Sequence, residues 1–347
     1  MTAAEGLLVD LVSLPSLSGD EAQAAAFLAG RLGDFGWEAV DIDRIGNVVA
    51  TRGRGERELL LVGHIDTVPG GPPVRLDGDL LWGRGSVDAK GPLCALAAAG
   101  GALSLHEGWR VTLVAAVGEE RDSRGMRHRL DLHAPDGCVI GEPSGTTGVT
   151  IAYRGRLLLQ LSASDGGAHR SGDAGPLTAV VRSASALLGA VEERDDPSRL
   201  VIDRPSAAVA SMAGAEGQGR SATIEVDVRL PLGGDVAVWL RELGAVVGEG
   251  VAVACLDAVA AHSVGRSDPL ARSLAGAVRE AGDRPALLVK GGTADFNLAA
   301  SWKCPLAAYG PGDSRLDHTD EERLCLAEFR RSVTILKAGL ERFLRRR

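Results

Sequence analysis

Glu119 and Glu120 close the apolar run VTLVAAV, and two adjacent acids at the end of a buried-type strand are costly unless cations meet them. Four further segments carry residues able to share such cations. His64 and Asp66 lie in LLLVGHIDTVPG, Asp88 in GRGSVDAKGP, Glu142 in CVIGEPSG and His318 in GPGDSRLDHTDEE. Each follows an apolar strand-like run or sits in a Gly/Pro-rich loop. An open α/β sheet builds its site in that place, beyond the carboxyl ends of its strands. Carboxylates with two imidazoles suit zinc, cobalt or manganese. The pattern reads as a two-metal hydrolase, in which ions about 3.5–4 Å apart share a water, lower its pKa and clamp a tetrahedral oxyanion.

The residues divide into roles on chemical grounds. Asp88, flanked by Gly85, Gly91 and Pro92, sits in a loop tight enough for one carboxylate to bridge both ions. His64 with Glu142 can complete one ion, and Glu120 with His318 the other. Asp66, two residues beyond His64, is placed to orient that imidazole. Glu119 is left without a metal, and a carboxylate beside an activated water is the natural general base. Taken singly, each residue has an ordinary explanation: a surface His, a solvated Glu pair, an Asp shaping a turn. Five in matching contexts do not.

Rival chemistries lack their spacing. Gly83-Arg84-Gly85 begins like a dinucleotide fingerprint, but Asp88 stands where the third glycine belongs. There is no phosphate loop, and neither Ser86 nor Ser144 sits in a G-x-S-x-G elbow.

The elements that must position these residues follow from periodicity. Leu7, Leu8, Leu11 and Val12 recur at helical spacing, and Ser18 with Glu21 predicts a capping box opening a helix through about Leu32. Strands are expected in EAVDIDRIGNVVATR, ELLLVGHID and VTLVAAV, with GPLCALAAAGGALSLHEG as a small-residue helix between the last two. The continuous run LLLV suits a parallel strand covered on both faces. The expected class is α/β, a mixed and mostly parallel sheet with helices on both faces. After Pro143 the pattern changes: RGRLLLQLSAS and SATIEVDVRL alternate as half-exposed strands, and two amphipathic helices accompany them. Residues 152–258 therefore read as an α+β insertion, with 1–151 and 259–347 forming one metal-binding domain.

The 347 residues are 45% hydrophobic, ample for packed cores. A net charge of −8 argues against nucleic acid as a partner. Five scattered cysteines without a C-x-x-C suggest reduced thiols. The amino terminus lacks a basic region, and no apolar run is long enough to span a bilayer. A cytoplasmic protein without membrane contact is the expectation.

The motifs GHIDTVPG, GRGSVDAKGP, VGEE, GEPS and LDHTDEE resemble the dinuclear zinc aminoacylases and exopeptidases that include acetylornithine deacetylase and succinyl-diaminopimelate desuccinylase. The likeness covers essentially the whole chain. It implies a zinc exopeptidase-like fold and two divalent ions, with the ligands as assigned above, Glu119 as base and a cis Asp88–Ala89 peptide. It also implies that the insertion is a lid mediating a homodimer, with His169 of the partner's lid stabilising the oxyanion. Arg229 and Thr293 match positions that hold a substrate carboxylate. Within the family, KGGTADFNL and CPLAAYGPGDSRLDHTDEE are most similar to the amino-group carrier protein hydrolases of lysine and arginine biosynthesis. That narrower resemblance implies release of lysine, ornithine or a related amino acid from the γ-glutamyl terminus of a small acidic carrier protein. The alternative is a deacylase of a free N-acyl amino acid such as N-acetylornithine. EGQGRSATIEV replaces the family's common Asn-x-Ile-Pro before the lid strand, and KGGTAD its usual KTGTSD. An acidic carrier needs a basic landing surface, for which Arg154, Arg156 and Arg170 are candidates.

Overall fold

A computed structural model describes residues 1–166, 175–215 and 219–345. The chain packs as two compact units, one of Met1–Ile151, Val264–Leu288 and Leu298–Arg347, the other of Ala152–Ser263 and Val289–Asn297. Residues 259–263 and 289–297 thus pack with the second unit, whereas the sequence reading assigns them to the first.

The first unit is organised by the run LLLV, buried throughout within the strand Arg57–His64. Parallel neighbours flank it, Trp109–Ala116 on one side and Gly137–Gly141 on the other. Leu306–Ala308 adds a fourth parallel strand beside Gly137–Gly141. Antiparallel strands extend this core: Val48–Gly53 and then Ala39–Ile42 beyond Trp109–Ala116, and Gly148–Tyr153 beyond Leu306–Ala308. The helix Lys90–Gly101 is buried along its whole length. Two strand glycines let it lie close on the sheet. A Cβ at Gly63 would stand 3.2 Å from Leu93, and one at Gly141 only 2.7 Å from Leu96. The C-terminal helix Leu326–Leu344 packs on this helix and on Pro269–Glu280.

One expectation fails. The helix Ala22–Leu32 starts with Glu21 as its N-cap and has no side-chain cap, so Ser18 and Glu21 form no capping box. The Ser18 hydroxyl donates instead to Asp66 Oδ2 at 2.6 Å, and both oxygens of Glu21 accept from Arg124 Nη2 at 2.7 Å. Charge-assisted bonds are roughly twice as strong as neutral ones, so distant charged partners win over a helix end. A capping box does form one helix earlier, between Thr2 and Glu5.

The sequence reading also passes over a small antiparallel sheet of Arg75–Asp77, Leu80–Trp82 and Arg323–Cys325. The guanidinium carbons of Arg75 and Arg323 lie 4.1 and 4.7 Å from the centroid of the Trp82 ring. Cation–π contacts thus help join the chain after residue 322 to the chain before residue 83.

The second unit is a four-stranded antiparallel sheet in the order Ser206–Ala215, Arg220–Leu230, Gly155–Asp165, Ala252–Val259. Alternation puts Leu157, Leu159 and Leu161 with Val226 and Val228 in a core shared with Val180, Ala184 and Leu187 of the helix Gly175–Glu192. The edge strand Ser206–Ala215 is exposed at nearly every position, with Met212 63% exposed. Among the described residues, which include all five cysteines, there is no disulfide. Among the described residues, no helix is long and apolar enough to cross a membrane.

Candidate metal centre

Three parallel strands deliver candidate residues to one end of the first unit's sheet. His64 is the last residue of its strand and pairs with Ala116, so Glu119 and Glu120 follow just beyond the neighbouring strand. Gly63 pairs with Gly141, which sets Glu142 beside His64. Asp88 lies in the turn before the helix Lys90–Gly101, and its peptide bond to Ala89 is cis. His318 comes from the loop before Arg323–Cys325 and holds a φ of +60°. That left-handed conformation is uncommon for a residue with a side chain and is found where surrounding structure enforces it.

The side chains converge on Asp88. His64 Nε2 stands 3.2 Å from Asp88 Oδ1, and His318 Nε2 stands 3.1 Å from Asp88 Oδ2. His318 Nε2 is also 3.0 Å from Glu120 Oε1. Ligand atoms of His64, Asp88 and Glu120 all lie within 4.8 Å of one another. The Nδ1 of His64 faces the Asp66 carbonyl at 3.0 Å. A carbonyl only accepts, so Nδ1 carries a proton and Nε2 is the atom turned toward Asp88.

The bare protein answers this crowding of acids with protons. Contacts with Asp88 and Glu120, against partial burial, push the His318 imidazole up to about 10. Burial alone would lower the His64 pKa, but contacts with Asp66 and Asp88 and the charge of Glu119 carry it well above the ordinary value. Burial would raise Asp88, yet the two imidazoles hold its carboxyl well below the usual range. Each of these contacts sets an imidazole nitrogen against a carboxylate oxygen, the donor pair a divalent cation would take. Two imidazoles on opposite oxygens of one carboxylate suit a bridge between two cations, so the donor set fits the ions the sequence implies.

Asp66, fully buried, holds the acidic turn from beneath. Its Oδ1 accepts the N–H of Glu119 at 3.0 Å, and its Oδ2 accepts the N–H of Glu120 at 3.1 Å and the Ser18 hydroxyl. Asn47 closes the base of the same turn, accepting from Val117 N at 3.0 Å and donating to the Gly125 carbonyl at 3.1 Å. Sequence reading missed Ser18 and Asn47 as parts of the site; the polar cluster in PSLSGDE is the one signal that could have suggested the first. Ser18→Ala is expected to lower kcat about three- to tenfold with KM unchanged, the loss of one bond to a charged acceptor. Ser16→Ala is the control, because the Ser16 hydroxyl donates to the Ile65 carbonyl rather than to Asp66. Equal kcat in wild type and Ser18→Ala would remove Ser18 from the support of the site.

Glu322 does for Asp88 what Asp66 does for the acidic turn. It is fully buried, and its Oε1 accepts from the N–H groups of Val87 at 3.0 Å and Asp88 at 3.1 Å. Its other oxygen accepts from Arg84. The second Glu of DEE and the Arg of GRGS are the only sequence hints of this.

The remaining candidates lie elsewhere. Arg229 and Thr293 belong to the second unit. The Arg229 guanidinium pairs with Asp227, its Nε 3.0 Å from Oδ1, and the Thr293 hydroxyl donates to the Arg154 carbonyl at 2.8 Å. His169 and Arg170 fall outside the described residues. Arg154 and Arg156 are not free to form a landing surface. Arg154 donates to the carbonyls of Gly291 and Arg204, and Arg156 pairs with Asp227 and Asp257.

The chain is similar to known proteins along nearly its whole length. The profile of Peptidase family M20/M25/M40 matches residues 60–342. A Deinococcus radiodurans protein named "[LysW]-lysine hydrolase" is 38% identical over 354 residues, covering 99% of this chain and 97% of its own. A Saccharolobus islandicus protein named "[LysW]-lysine/[LysW]-ornithine hydrolase" is 26% identical over 97% of this chain and 95% of its own. The solved M20 family metallo-carboxypeptidase Sso-CP2 of Sulfolobus solfataricus shares the fold, with a TM-score of 0.81 at 15% identity over 99% of this chain and 100% of that one.

Proposed function

This chain belongs to Peptidase family M20/M25/M40, a family of metal-dependent hydrolases, and we propose that it releases lysine, ornithine or a related amino acid from the γ-glutamyl terminus of an amino-group carrier protein. The observation that carries the reading is the convergence of His64, His318 and Glu120 on Asp88, with Glu119 on the same turn. The near full-length likeness to a "[LysW]-lysine hydrolase" supports the substrate class.

In this reading His64, Asp88, Glu120, Glu142 and His318 would hold two divalent cations, with Asp88 shared between them. Zinc is our first choice, with cobalt or manganese able to substitute. Bound there, such ions supply Lewis acidity at the amide carbonyl and make water acidic. Glu119 takes a proton from the attacking water as the water oxygen bonds to the acyl carbon. It returns that proton to the leaving nitrogen as the C–N bond breaks, and the second water proton follows from the new carboxyl group, giving a carboxylate and a protonated amine. Arg229, exchanging Asp227 for substrate, and Thr293 hold the amino acid's carboxylate.

We also read the protein as a homodimer joined along Ser206–Ala215, whose exposed edge offers unpaired backbone groups to a second copy. In the dimer, we assign stabilisation of the developing oxyanion to His169 of the partner's lid.

Amine release by the zinc- or cobalt-loaded enzyme tests the reading, with Nα-(γ-glutamyl)-lysine, Nα-(γ-glutamyl)-ornithine and Nα-acetylornithine as competing substrates. A kcat/KM at least about tenfold higher for a γ-glutamyl compound is the expected result, corresponding to ~1.4 kcal/mol of extra transition-state binding. Preference for the acetyl compound would make the enzyme a conventional deacylase. Sedimentation of the same preparation should give a dimer; a fully active monomer would remove the dimer and the cross-subunit His169 together.

A further inference from the structure

A second concentration of charge lies in the first unit and involves none of the residues above. A cavity of about 520 Å³ is lined by Arg266, Arg272, Arg279 and Arg342, with Pro285 and Leu287 on its apolar side. Arg272 and Arg279 lie seven residues apart on the helix Pro269–Glu280, two turns along one face. Arg342 comes from the C-terminal helix and lies across Gly276, where an added Cβ would stand 3.1 Å from its guanidinium carbon. The glycine thus makes room for a guanidinium at the cavity wall.

The charges in this cavity are not balanced. Arg342 pairs with Glu280, and Arg266, Arg272 and Arg279 have no ion-pair partner among the described residues. Four guanidiniums against one carboxylate leave three positive charges, in a chain whose net charge is −8. The other nearby acids are committed elsewhere. Asp283 pairs with Arg331, and Asp268 caps the helix by accepting from the N–H groups of Leu270 and Ala271.

We infer that this cavity binds an oligophosphate, the chemistry shared by inorganic tripolyphosphate and a nucleoside triphosphate. The guanidinium fork matches phosphate oxygens bidentately, and three or four of them around one space match a ligand carrying several phosphoryl groups. The volume falls within the roughly 300–1,000 Å³ of small-molecule sites. Pro285 and Leu287 offer the apolar contact that a nucleoside would use and inorganic phosphate would not. No lining residue belongs to the metal centre, so the site is separate from the hydrolytic one.

Isothermal titration of the full chain tests this with sodium tripolyphosphate and with ATP, in wild type and in Arg272→Glu/Arg279→Glu. Oligophosphates chelate metals, but both proteins carry the same metal centre, so that heat cancels in the comparison. The expected result is one saturable site with Kd below about 100 µM at low salt, about −5.5 kcal/mol. The charge reversal is expected to weaken it at least tenfold, and added salt to weaken it in wild type. Tighter binding of ATP would identify the nucleotide as ligand, and equal binding the phosphate chain alone. No saturable heat up to about 1 mM overturns the inference, as does an affinity unchanged in the double variant. Amide hydrolysis by that variant is expected to match wild type. Should it fail to fold, Arg266→Ala, in the loop before the helix, is expected to weaken binding about threefold.

Discussion

Glu119→Gln is expected to keep both ions while lowering kcat by about 10²–10⁴-fold, the range a positioned general acid–base contributes. The substitution preserves shape, and it leaves untouched the Glu119 N–H that donates to Asp66. Glu120 supplies the carboxylate that faces His318 and groups with His64 and Asp88. The loss therefore falls on the transition state and should appear in kcat with KM little changed. Amine-release kinetics with metal analysis of the same sample decide the matter. Near-normal turnover would put the base elsewhere, and loss of an ion would make Glu119 a ligand.

The site was legible in the sequence to the extent that it obeys one rule of sheet architecture. Residues just beyond continuous apolar strands gather at one sheet end, so His64, Glu119, Glu120 and Glu142 could be grouped from their positions after LLLV, VTLVAAV and CVIG. His318 and Asp88 follow no core strand directly and entered through the chemistry of their loops. What the sequence hid was long-range competition for partners. Ser18 and Glu21 carry a sound local signal for a helix cap, and partners 48 and 103 residues away took both side chains. Strands such as Ser206–Ala215 were invisible for another reason. SAAVASMAGA is exposed on nearly every residue, so no alternation marks it as a strand.

Two buried carboxylates share one job. Asp66 accepts the N–H groups of Glu119 and Glu120, and Glu322 those of Val87 and Asp88. Each fixes the backbone of a turn that carries candidate ligands. A buried carboxylate without such donors would be strongly unfavourable, so support and ligand are energetically linked. Arg84, caught between the small sheet and Glu322, ties that support to the rest of the loop.

Asp88→Ala is expected to reduce metal content from two ions per chain to fewer than one and turnover to background. Both imidazoles lean on this carboxylate, one on each oxygen, so neither cation keeps a complete set of donors without it. Asp88→Asn is the conservative companion. Glu322 bonds only the backbone N–H at this position, so the loop should survive either change. Proton linkage gives a second readout that needs no activity. With His318 raised to about 10, a cation must displace a proton at any lower pH. Apparent metal affinity in the wild type should therefore tighten as pH rises toward 10, by up to about tenfold per unit for each proton displaced. Without ions the sign reverses. An imidazole raised above its unfolded value of about 6.5 stabilises the folded state fully below that pH, and the contribution fades as pH climbs through 10. Melting curves in chelator should show that decline in the wild type. They should show much less of it in Asp88→Ala, which removes the largest cause of the His318 shift. Two retained ions, or an unchanged decline, would mean that Asp88 does not bridge.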